Sequence, residues 1–186
     1  MTANKHFKRR VRERARRTGE SYTAALRNLR RIDAEERQME WQRIEKAEYG
    51  YAVHVPDDWD ERPPNLKNSP WETARFGQPS DRRHSMIVFR GPGRPGMTPA
   101  DVAELVQGTL LAAGYADFVI SDADLGGRRA ARLDCARHDA GRVWAVREYF
   151  VVDDGVRFCL GLGSSVPDED DALFTAMAER FEILGA

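Results

Sequence analysis

The sequence predicts an α+β fold, an antiparallel sheet meander flanked by helices and preceded by a basic helical N-terminal arm. Three observations lead there. Four segments of strand-like pattern, 117–125, 128–138, 143–153 and 156–164, follow one another. Gly126-Gly127 and Asp154-Gly155 join two pairs of them, and two-residue turns of this kind require antiparallel neighbours. Helical segments lie on either side of this run, and the first 31 residues carry eleven basic side chains against Glu13 and Glu20, a net charge of +9. The 186 residues, 41% hydrophobic and 32% charged, suffice for one packed core with an appendage.

The elements follow in chain order. Residues 4–17 read as a helix with a narrow apolar stripe of Phe7, Val11 and Ala15, stopped by Thr18-Gly19. Ser21 caps a second helix, which places Tyr22, Ala25, Leu26, Leu29 and Ile32 on one face. Residues 1–32 are thus expected to form a basic helical hairpin arm. Residues 33–48 are highly charged and read as a helical connector, with Asp33 and Glu36 at capping-box spacing. The body, 49–186, begins where Tyr51, Val53 and Val55 alternate with Ala52 and His54. A chain starting near Glu45 is expected to fold without the arm. Residues 57–70 read as a long loop, and 72–76 and 86–90 as strands. Thr98 caps a helix with Pro99 at its first position, Val102, Leu105, Val106, Thr109, Leu110 and Ala113 along one face and Gly114 at its end. After the four strands, Ser165 and Pro167 open a closing helix whose Leu173, Met177, Ala178 and Phe181 face the core.

Several chemistries fail at the level of residues. No apolar run approaches the roughly 20 residues of a membrane span, so no transmembrane segment is expected. Cys135 and Cys159 lack CxxC spacing and read as small buried hydrophobes, which with the missing leader points to the cytoplasm. His6, His54, His84 and His138 show no metal spacing, and no metal or cofactor is expected. Gly91-Pro92-Gly93-Arg94-Pro95-Gly96 matches G-x-G-x-x-G, yet two prolines remove the backbone donors a phosphate needs. The run Asp168-Glu169-Asp170-Asp171 suits the first turn of a helix. No catalytic residues are assigned, so the expectation is a protein that is not an enzyme.

The entry Tyr49-Gly50-Tyr51-Ala52-Val53-His54-Val55-Pro56 with Trp59, the order of elements after residue 86, the turn in Val151-Val152-Asp153-Asp154-Gly155-Val156-Arg157-Phe158 and the ending Phe181-Glu182-Ile183-Leu184 together resemble the PsbP-like (Mog/PsbP) fold family over about residues 49–184. That resemblance implies recognition rather than catalysis, because the family consists mostly of binding proteins. Arg14 to Leu29 is similar to the helical part of VapB-like antitoxins, which bind DNA and a toxin. The strand by which such antitoxins read DNA has no counterpart before the first helix, so the binding implied is not operator-specific.

These readings converge on a bacterial non-enzymatic binding or adaptor protein. Lys5, Lys8, Arg9, Arg10, Arg12, Arg16 and Arg17 are expected to contact an anionic partner, a nucleic acid or the ribosome. Tyr22, Leu26, Leu29 and Trp71 are expected to contact a protein partner, and a homo-oligomer is compatible with the arm. Trp59 either closes the core or joins Trp71 at an interface. Two alternatives are a chaperone or antitoxin-like factor that uses the arm on a protein, and an enzyme with a pocket between loops 57–70 and 77–85.

Overall fold

A computed structural model describes residues 8, 9, 11, 12, 14–16, 18–29 and 39–185. The chain divides into two compact units, Met1–Met39 and Glu40–Ala186.

The first unit is a pair of helices. The described residues between 8 and 18 are helical (α1), and 22–29 form α2. Gly19 takes φ 72° and its N–H reaches Ala15 O at 3.1 Å, so glycine ends α1 as the sequence predicts. Ser21 Oγ accepts from Ala24 N at 3.2 Å and caps α2. Val11, Ala25 and Leu29 bury against one another, flanked by Ala15 and Leu26. Leu29 was expected at a partner surface, but only 4% of it is exposed, because the apolar stripes of the two helices satisfy each other. Phe7 and Ile32 lie outside the described residues.

The second unit opens with a correction. Trp41–Lys46, expected within a helical connector, is strand β1, paired antiparallel with β2 (Tyr51–Pro56) from Trp41↔Pro56 to Lys46↔Tyr51. A short 3-10 turn, Ala47–Tyr49, and Gly50 at φ 71° join the two. The helical reading rested on the high charge of the segment and the capping-box spacing of Asp33 and Glu36. As an edge strand over a partly covered face, β1 needs no strict alternation, and tertiary pairing overrides its polar composition. The rest of the expected connector, residues 33–38, lies outside the described residues.

The other strands are β3 (Asp60–Arg62), β4 (Glu72–Gly77), β5 (His84–Pro92), β6 (Ala116–Leu125), β7 (Arg128–Asp139), β8 (Arg142–Asp153), β9 (Val156–Ser164) and β10 (Glu182–Ile183). The helices are α3 (Pro99–Ala112) and α4 (Pro167–Glu179). The loop expected over 57–70 therefore contains β3. One sheet runs β1-β2-β10 and the other β3-β4-β5-β9-β8-β7-β6, with every registered pair antiparallel.

Alternation along these strands gives the large sheet two different faces. On one, Met86, Val88, Tyr149, Val151, Phe158, Leu160 and Leu162 pack with Tyr51, Val53 and Val55 of the small sheet and with Phe174, Met177 and Phe181. Trp59 belongs to this core, 3% exposed and stacked on His84 at 5.2 Å. On the other face, α3 covers β6, β7 and β8, burying Val102 and Ala103 against Ala131, Leu133 and Phe150. Thr98 and Asp101 cap α3 reciprocally, as Thr98 and Pro99 announce in the sequence.

Candidate functional site

Two places among the described residues are candidate sites: the outer surface of the helical pair, and a groove in the body.

On the helical pair, packing of Val11, Ala25 and Leu29 leaves Lys8, Arg9, Arg12 and Arg16 exposed. Arg14 instead folds onto Glu20, which also accepts from Asn28 Nδ2 at 2.7 Å. Of the residues assigned to a protein partner, Tyr22 is 44% exposed and Leu26 is half-buried against the hairpin core. Lys5, Arg10 and Arg17 lie outside the described residues.

The body's groove is built by β9. Leu160 and Leu162 point into the core, so Gly161 and Gly163 face the α3 side with no side chain. Gly161 lies between Ile87 of β5 and Glu148 of β8. A Cβ built on Gly161 meets Glu148 Oε1 at 3.4 Å and Phe89 at 3.5 Å. The ring of Trp144 lies over Gly163, where a Cβ would come within 2.7 Å. The resulting cavity of about 600 Å³ is walled by Phe89, Trp144, Leu105 and Val106. Leu105, expected with Val102 and Val106 along one face of the helix, is 51% exposed at its edge. Loops 57–70 and 77–85, expected to enclose an enzyme pocket, contribute only Asn68, Ser69 and Ser85.

Trp71 closes one end of the groove. Its carbonyl accepts from Arg90 N at 2.8 Å, and Glu72, bound by Arg75 and by Asn65 N, holds the preceding loop. Gly91 admits the indole: a Cβ there would stand 3.1 Å from both Trp71 and Arg157. The Arg157 guanidinium lies 5.8 Å from the Trp71 ring, and at the other end Arg137 lies 5.5 Å from Tyr115. Between them sits Glu148, 8% exposed, with Oε2 lacking any hydrogen-bond partner among the described residues. Burial pushes its carboxyl up to about 7, so it holds its proton through mildly acidic pH. Burial also pushes the Cys135 thiol up to about 12 and Cys159 well above its ordinary value, so neither offers a thiolate.

Several polar residues that stand out in the sequence have neighbours that explain them. His54 Nδ1 lies 2.8 Å from Arg180 O, and His138 Nε2 lies 2.8 Å from Asp117. Asp170 accepts from Ser164 Oγ at 2.6 Å and lies 3.3 Å from His84 Nδ1, while Asp171 accepts from Arg147 at 2.9 Å. The acid run is thus more than a helix-dipole preference, and Ser164 rather than Ser165 organises the helix start by accepting from Val166 N at 2.8 Å. Gly93 of the glycine motif donates to Gly155 O at 2.7 Å, which leaves that N–H engaged. Among the described residues no group of three His, Cys, Asp or Glu side chains could hold a metal, and no helix is long and apolar enough to cross a membrane.

The solution structure of cyanobacterial PsbP from Synechocystis sp. PCC 6803 superposes with a TM-score of 0.62 over 78% of this chain and 93% of its own, at 17% identity. The fold is PsbP-like. LpqN of Mycobacterium tuberculosis, involved in cell envelope biogenesis, has a TM-score of 0.50 at 23% identity over 79% of this chain and 92% of its own. A Bacteroides thetaiotaomicron structure reaches 0.51 at 10% identity, over 73% of this chain and 46% of its own. No protein-family model and no curated protein sequence matches the chain. Of the residues around this groove, Trp71 stands out in the sequence, there as a protein contact, whereas Glu148, Trp144, Arg137 and Arg157 do not. The signal was present in Leu160-Gly161-Leu162-Gly163, where glycine on every second residue of a strand leaves one face bare.

Proposed function

We propose that this is a non-enzymatic binding protein whose basic arm holds a nucleic acid, free or within the ribosome, largely without regard to sequence. The observation carrying this is the distribution of side chains on the helical pair: the apolar residues face each other, and Lys8, Arg9, Arg12 and Arg16 remain outward. A surface with arginine forks and little exposed apolar area suits phosphates better than a hydrophobic partner. The PsbP-like fold agrees with a binding role for the body.

Affinity of the full chain for duplex DNA and for structured RNA, measured across salt concentrations, tests the reading. With roughly five phosphate contacts, log affinity on duplex falls against log salt with a slope of about −4 to −5. Replacing Arg9, Arg12 and Arg16 by alanine flattens that slope to about −2. Scrambled sequences bind nearly alike. Absence of affinity at low salt overturns the proposal in favour of a protein partner, for which Tyr22→Ser would then be the sensitive change.

A further inference from the structure

The groove has three features that the packing of the body does not use. Its floor is bare at Gly161 while the Trp144 ring lies over Gly163, its middle holds a buried carboxyl without a hydrogen-bond partner, and each end carries a guanidinium that rests on an aromatic ring. Arg137 and Arg157 form no ion pair with any described carboxylate. An unpartnered polar atom inside a protein calls for an occupant that satisfies it.

Strand register sets the spacing of these groups. Arg137 opposes Trp144 on β8, Arg157 opposes Val152, and Glu148 lies four residues from each level. At ~3.3 Å per residue, about 13 Å of strand separates the carboxyl from either arginine's level. We propose that the groove binds an elongated apolar carboxylate bearing a hydroxyl, with its carboxylate on one arginine, its hydroxyl on Glu148 and its chain packed beside the Gly161 floor and the Trp144 ring. A planar guanidinium pairs with a carboxylate through two parallel hydrogen bonds. A hydroxyl both donates and accepts, so it suits Glu148 in either protonation state. Two flanking arginines disfavour a cationic ligand. The volume of about 600 Å³ is in the range of small-molecule sites, and Phe89, Trp144 and Val106 supply apolar walls.

Calorimetric titration of the full chain with ω-hydroxydecanoate, decanoate and decylamine, each below its micelle concentration, decides the matter. The hydroxy acid should bind roughly fivefold more tightly than decanoate, the difference of one net hydrogen bond. Glu148→Leu should erase that preference while keeping decanoate bound. Arg137→Gln or Arg157→Gln, whichever holds the carboxylate, should weaken both acids about tenfold. Gly161→Leu should abolish binding by filling the floor; if that variant does not fold, the Glu148 and arginine variants still decide. The inference is overturned if neither acid binds, if the two acids bind equally to the wild type, if decylamine binds as tightly, or if the acids bind all the variants unchanged. None of these outcomes depends on whether the arm binds nucleic acid.

Discussion

Glu148 lies between Val146 and Phe150 on the α3-facing side of β8, in a strand whose neighbouring residues are mostly apolar. Its ordinary carboxyl value is 4.5, against about 7 in the folded chain. Below the lower value both states carry the proton and the residue is neutral to stability. Between the two, only the unfolded chain releases its proton, so stability falls as pH rises and then levels off. Glu148→Gln should therefore raise stability at pH 8 by about 3 kcal/mol while changing it little at pH 4, as read from urea midpoints. His84 has linkage of the same sign, arising from a favourable contact rather than from burial. Its pairing with Asp170 raises its pKa, so the stabilisation is complete below its ordinary value of 6.5 and disappears as pH climbs through the raised one. Asp170→Asn should thus lower the melting temperature more at pH 6 than at pH 9. His54 and Cys135 read from the sequence as structural and are so, whereas Cys159, expected to be buried, is only partly buried and lines the groove. Glu148 does not stand out in the sequence, because a charged residue in a strand reads as solvent-facing until the register shows what lies opposite. Ser164 and Asp170 escaped for a related reason: their partners come from different elements.

Among the elements, the turn between β6 and β7 separates two kinds of glycine constraint. Gly126 and Gly127 both take positive φ, 58° and 77°, as a two-residue hairpin turn requires. Gly127 has open space around it, whereas a Cβ on Gly126 would lie 1.8 Å from Phe181 O. Gly126 N also donates to Ala178 O at 2.9 Å, so the turn docks on the end of α4. Gly127→Ala should cost about 1 kcal/mol, the penalty of the left-handed backbone alone. Gly126→Ala should cost about 3 kcal/mol or more and flatten the cooperative melt. The hairpin was legible because a Gly-Gly pair between alternating segments has few other uses. Its docking was not, since nothing local marks a contact with a residue some fifty positions later. β1 was missed for the converse reason: Trp41-Gln42-Arg43-Ile44-Glu45-Lys46 has no pattern of its own, and β2 supplies the partner that makes it a strand.

At the scale of the whole molecule, the body's ordered pairing begins at Trp41 rather than near Glu45. A chain beginning at Glu40 should melt cooperatively, whereas one beginning at Glu45 loses most of β1 and the Arg43–Glu182 ion pair and should melt at a lower temperature. The small sheet has a further property of its order. β2 lies between β1, a few residues before it, and β10, which pairs Glu182 with Ala52 and Ile183 with Tyr51. During synthesis at about 5–20 residues per second, Tyr51 and Ala52 therefore wait roughly 6–25 seconds for that partner to be made. Through that interval β2 keeps one edge open to any passing chain, so it stays exposed to mispairing until residues 182–183 have emerged.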